Sequence, residues 1–188
     1  ISVEEFIYSD EWCGGIRDGH ELKAVVAGGS SVPILPANLI LKLANGEPRL
    51  MTYESLADGG FQTGTMLGSG GFIVMDETTC IVHNTWTFAR FYHHESCGQC
   101  SPCREGTGWM ARVLERLEHG KGSMHDIDLL VDVAKKIEGN TICPLGDAAA
   151  WPVAAAIRHF REEFEWHVTH PEEATQPGAV YRGALELV

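Results

Sequence analysis

Three cysteines spaced three residues apart, Cys97, Cys100 and Cys103, sit in the uninterrupted string ESCGQCSPCREG (Glu95–Gly106). This run constrains the fold more than any other feature, because its three thiolates must converge on one object. A cubane cluster offers iron atoms at separate corners, and a tight loop with a cysteine at every third residue reaches three of them from one side. Gly98 relieves the backbone of that loop and Pro102 stiffens it. The fourth iron needs a ligand from elsewhere in the chain, and Cys143, followed by Pro144, supplies it. Cys-Pro after the final ligand recurs in ferredoxin-type runs. The chain has six cysteines, too few for two four-cysteine clusters. The expected cofactor is therefore one [4Fe–4S] cluster on Cys97, Cys100, Cys103 and Cys143.

Structural zinc also takes four cysteines and is the alternative. It uses two separated C-x2-C knuckles, however, and a third ligand three residues on would crowd one tetrahedral ion. Cys13 and Cys80 read as small core residues, Cys80 within an apolar strand pattern. His93 and His94 lie beside the loop and could tune a cluster, although a solvated helix end is the simpler reading. A cluster with four thiolates is negative and calls for donors and positive ends. Helices beginning near Glu105 and near Asp147 would direct free N–H groups at the sulfurs. Arg104 adds a charge there, or is an ordinary surface arginine. Cysteines grouped as ligands rather than as a disulfide framework imply a reducing compartment.

The rest of the 188 residues can bury a core: 44% are hydrophobic. Leu22–Ala27 (LKAVVA) reads as a buried strand, Val32–Pro36 as an edge or loop, and Thr52 as the N-cap of a short helix. Phe72–Met75 and Thr78–Val82 read as strands. From Asn84 the apolar period becomes helical, over Thr85–Glu95, Glu105–Glu118, Asp126–Glu138 and Asp147–His167. Ser123 is a possible cap for the third helix, and Pro152 must sit in the first turn of the fourth or kink it. The expected class is α+β: a small α+β domain over residues 1–83, a four-helix bundle carrying the cluster over 84–168, and an extended tail over 169–188.

Several functions are disfavoured. A formal net charge of −12 without basic runs argues against nucleic-acid binding. The longest apolar stretch, Ala148–Ile157, is about half the ~20 residues of a bilayer-spanning helix, so no direct membrane insertion is expected. The chain starts at Ile1 without the zones of a signal peptide and is expected to be a fragment or a processed chain. Gly28-Gly29-Ser30-Ser31 and Gly68-Ser69-Gly70-Gly71 lack a following helix, so they read as turns rather than phosphate loops. Trp109 and Trp151 read as core residues. No Ser/His/Asp arrangement stands out, and no catalytic residue is expected.

The runs ESCGQCSPCREGTGWM (Glu95–Met110), IEGNTICPLGDAAAWPV (Ile137–Val153) and IRHF (Ile157–Phe160) resemble the NADH- and FMN-binding subunit of NADH–quinone oxidoreductase, respiratory complex I. Upstream, Cys13–Leu35 and Gly64–Val82 are similar to that family's β-grasp-like domain, of the SLBB type. The resemblance covers about residues 10–166. It implies that Cys97, Cys100, Cys103 and Cys143 ligate a [4Fe–4S] cluster that relays single electrons from flavin to the next cluster. FMN and NAD would belong to an upstream domain that this sequence lacks. The implied partners are other subunits of a multi-subunit NADH-oxidising complex, including a neighbouring iron–sulfur subunit. The implied place is the cytoplasmic or matrix face of the inner membrane. The diaphorase portion of an NAD-linked hydrogenase or formate dehydrogenase shares the cysteine pattern and stays open. So does a zinc-stabilised assembly module without a redox role.

Overall fold

A computed structural model describes residues 1–181, and the chain divides into two compact units, one over residues 1–79 and one from Cys80 onward. The first unit is α+β. Its elements are α1 (Val3–Tyr8), β1 (Leu22–Ala27), β2 (Leu35–Pro36), α2 (Ala37–Leu41), α3 (Tyr53–Ala57), α4 (Gly60–Thr63) and β3 (Phe72–Asp76). The sheet is antiparallel in the order β2-β1-β3, with Val25 opposite both Leu35 and Val74. A continuous apolar run suits β1 because it is the central strand and all six of its residues are buried. Val3, Ile7, Val25, Leu35, Ile40 and Leu56 form the core around it. The two glycine-rich segments are turns facing each other. Ser69 N–H donates to Gly28 O, and a Cβ on Gly28 would lie 2.1 Å from Met66 O.

One expectation for this unit is corrected, and one element is added to it. Helix α1 was not anticipated, although Ser2 caps it by accepting from Glu5 N–H and two glutamates occupy its first turn. Thr78–Val82 is not a strand. The Asp76 carboxylate accepts from Thr78 N–H and from the hydroxyls of Thr78 and Thr79, turning the chain out of β3.

The second unit packs α5 (Ile81–Glu95), α6 (Ser101–Glu118), α7 (Met124–Ile137) and α8 (Leu145–Thr169) together, with α9 (Pro171–Ala174) against α8. The expected apolar faces supply Phe88, Tyr92, Met110, Leu114, Leu117, Ile127, Leu130, Val153, Ile157 and Phe164 to its core. Ser123 and Asp126 form a capping box at the start of α7, and Arg116 braces Asp126. Helices α5 and α6 each begin four residues earlier than the sequence suggests. Helix α8 starts at Leu145, which moves Pro152 beyond its first turn. Its non-helical dihedrals fall at Phe160 instead (φ −130°, ψ 29°). The expected extended tail contains α9, and its residues 182–188 lie outside the described residues. No helix among the described residues is long and apolar enough to cross a membrane.

Candidate metal centre

The short link between α5 and α6 builds the loop. Ser96 closes α5, its N–H donating to Tyr92 O, and Gly98 turns the chain at φ +77°. Cys100 is the N-cap of α6, and Pro102 occupies its first turn, where a backbone N–H would have no helical partner. Cys103 therefore lies inside that turn, 5% exposed, while Cys97 is exposed and Cys100 half-buried. The Ser96 hydroxyl lies 3.2 Å from Cys103 Sγ, and Thr107 Oγ1 donates to Cys103 O. Arg104 braces the loop. Its Nη1 donates to Gly98 O at 3.1 Å, its Nη2 to Ser101 Oγ and its Nε to Glu105.

Cys143 arrives from the link between α7 and α8. Thr141 Oγ1 donates to Cys143 O, and Gly139 N–H donates to the Asp147 carboxylate, closing the link over the start of α8. Two glycines let α6 approach its neighbours. A Cβ on Gly106 would lie 2.6 Å from Ile137, and one on Gly108 would lie 2.7 Å from the His93 ring.

The four thiols are electrostatic neighbours. Burial pushes the Cys103 thiol up, the Ser96 hydrogen bond opposes that, and Cys100, Cys143 and Cys97 raise it further. Four Cys donors fit an iron–sulfur cluster. Their spacing discriminates further. One zinc with Zn–S bonds of about 2.3 Å would hold its sulfurs ~3.8 Å apart. Among the described residues, three or more His, Cys, Asp or Glu ligand atoms lie within 4.8 Å of one another only at Cys80, Glu118 and His167. The loop and link cysteines do not form such a group among the described residues.

Other expectations change. Cys13 is exposed rather than core, and Cys80 is the half-buried N-cap of α5. Trp109 is 47% exposed, and Trp151 donates from Nε1 to Glu138. His93 and His94, by contrast, are exposed at the end of α5, in line with the simpler reading of a solvated helix end. Ser96 was not anticipated, although a hydroxyl seven residues before Cys103 and next to the first loop cysteine is visible in the sequence.

Residues 83–167 match the family described as the NADH-ubiquinone oxidoreductase-F iron–sulfur binding region. The chain therefore contains a segment similar to an iron–sulfur binding region. It is a homologue of the F-type subunit of NADH-quinone oxidoreductase and matches the C-terminal portion of that protein. It is 48% identical over 177 residues to an F-type NADH-quinone oxidoreductase subunit of Rhizobium meliloti (strain 1021), covering 93% of this chain and 38% of the relative. It is 50% identical over 166 residues to the corresponding protein of Rickettsia massiliae (strain Mtu5), covering 88% of this chain and 36% of the relative. A crystal structure of NAD+-reducing [NiFe]-hydrogenase in the H2-reduced state superposes with a TM-score of 0.65 at 29% identity, over 79% of this chain and 24% of that one. The chain thus spans well under half the length of these relatives.

Proposed function

We propose that the second unit relays single electrons through one [4Fe–4S] cluster ligated by Cys97, Cys100, Cys103 and Cys143. The observation that carries this is the tight loop that sets Cys97, Cys100 and the buried Cys103 at the start of α6, with Cys97, Cys100 and Cys143 all acting electrostatically on the Cys103 thiol. When bound, the cluster supplies a one-electron carrier. The chain's own residues do the rest. The loop between α5 and α6 and the first turn of α6 supply Cys97, Cys100 and Cys103, and the link before α8 supplies Cys143. Ser96 donates toward Cys103, and the first turn of α6 adds the positive end of its dipole. Arg104 fixes the loop by holding the Gly98 carbonyl.

In the wider assembly, electrons come from FMN reduced by NADH on the family's nucleotide-binding domain and leave to a cluster in a neighbouring subunit. The acceptor side is quinone, and the complex lies on the cytoplasmic or matrix face of the inner membrane, attached through its partners. The first unit is read as a β-grasp-like domain. The likeness to an NAD+-reducing [NiFe]-hydrogenase favours a second reading as a diaphorase portion, at lower identity than the quinone-linked relatives. Cys97→Ser or Cys143→Ser should abolish the reducible paramagnetic signal of the purified protein. An unchanged signal removes those residues from the ligand set. Co-purification of a nickel–iron subunit, instead of quinone-linked ones, would select the second reading.

A further inference from the structure

We infer that Cys80, Glu118 and His167 form a second metal site, for a single zinc ion, at the end of the helical unit remote from the four-cysteine loop. Their ligand atoms lie within 4.8 Å of one another, and Cys80 Sγ is 3.3 Å from His167 Nε2. Bonds of about 2.3 Å to sulfur and 2.0 Å to nitrogen at a tetrahedral angle place those two atoms ~3.5 Å apart, so the pair is already at chelating distance. One thiolate, one imidazole and one carboxylate make the mixed S/N/O set that zinc accepts, and their two negative charges balance the ion. A fourth position is left for water.

The donors come from three helices and are held in place. Cys80 caps α5, with His83 N–H donating to its sulfur at 3.4 Å. Glu118 is the last residue of α6, and His167, 1% exposed, lies in the last turns of α8. His83 Nδ1 lies 2.7 Å from Glu118 Oε1, whereas Glu118 Oε2 is buried with no hydrogen-bond partner among the described residues. A buried carboxylate oxygen without a partner is costly, and a metal ion would satisfy it. Glu163, one turn before His167, accepts from Ile81 N–H and ties α8 to the start of α5. The loop cysteines lie beyond the other end of α5, which has 15 residues and is roughly 22 Å long. The site is therefore separate from the cluster, and an ion there would staple the start of α5 to the ends of α6 and α8.

The test uses the purified full chain with its cluster in place, incubated with zinc and desalted. The expected content is about one zinc per chain beyond the iron of the cluster, and about a tenth of that or less in Cys80→Ala, with iron and sulfide unchanged. His83→Ala should weaken zinc binding roughly 10–100-fold by releasing Glu118 from its outer partner. Zinc should also slow alkylation of Cys80. Wild-type protein that retains no zinc, or a Cys80→Ala variant that retains as much, overturns the site. If Cys80→Ala loses iron or helicity, cobalt titration of the wild type decides. A thiolate-to-cobalt charge-transfer band at constant iron supports the site, and its absence overturns it. Because the readout is zinc at constant iron, failure here leaves the cluster assignment standing.

Discussion

Replacing Arg49 by lysine should unfold part of the first unit although the charge is kept. The Arg49 side chain is 1% exposed and its guanidinium donates to five backbone carbonyls, those of Leu39, Ser55, Leu56, Asp58 and Thr63. Burial lowers its pKa, which the Asp58 charge partly offsets. An ammonium has three hydrogens on one nitrogen, so at least two of the five carbonyls lose their donor. At ~1–3 kcal/mol for each buried acceptor left unsatisfied, the substitution should cost about 2–6 kcal/mol. That is a large part of the stability of a unit this size. Amide exchange read by mass spectrometry on peptides from 37–63 should accelerate at least about 30-fold, since 1.4 kcal/mol is one decade. Peptides from α6 and α7 serve as the reference. Unchanged exchange over 37–63 would refute the claim that the guanidinium organises this segment.

Other substitutions test separate parts of the molecule. Ser96→Ala removes the hydroxyl beside Cys103 Sγ. At ~1 kcal/mol for that hydrogen bond, the midpoint of the one-electron couple should fall by about 40 mV in a redox titration. Gly106→Ala gains ~1 kcal/mol of helix propensity but drives a methyl to 2.6 Å from the buried Ile137. Overpacking of about 1–3 kcal/mol should leave a net loss in chemical denaturation. The pH prediction concerns His20 and Glu77. The Glu77 hydrogen bond raises the His20 pKa. For Glu77, burial pushes upward, but the bonds from His20 and the Glu21 N–H outweigh it and the pKa falls. The His20 contribution is full below its ordinary value and lost as pH rises through the raised one. The Glu77 contribution is full above its ordinary value and lost as pH falls through the lowered one. The stability difference between wild type and His20→Ala should peak between 4.5 and 6.5, the two ordinary values, and shrink on either side. A flat difference across thermal melts from acid to neutral pH would count against the pair.

The helices were legible where their apolar periods and their caps are ordinary. Thr52 and Ser123 offer oxygen to free N–H groups and stand where the sequence placed them. The starts of α5 and α6 were set four residues late for one shared reason, that both N-caps are cysteines, Cys80 and Cys100. Cysteine is not among the usual capping residues, so a helix that starts after one is invisible to propensity. The loop cysteines were read from spacing alone. The proposed place of Cys143 beside them depends on the link after α7, which Asp147 and Thr141 hold by contacts that no local pattern announces. Arg49 was missed because its five partners are scattered over residues 39–63. The group of Cys80, Glu118 and His167 was missed because it depends on how three helices pack.

The central claim is that four cysteines hold an iron–sulfur cluster, and iron and acid-labile sulfide analysis tests it most directly. Anaerobically purified protein should carry about four iron and four sulfide per chain, and Cys103→Ser should lose most of both. Protein without sulfide, with zinc held by Cys97, Cys100, Cys103 and Cys143 in place of iron, would contradict it.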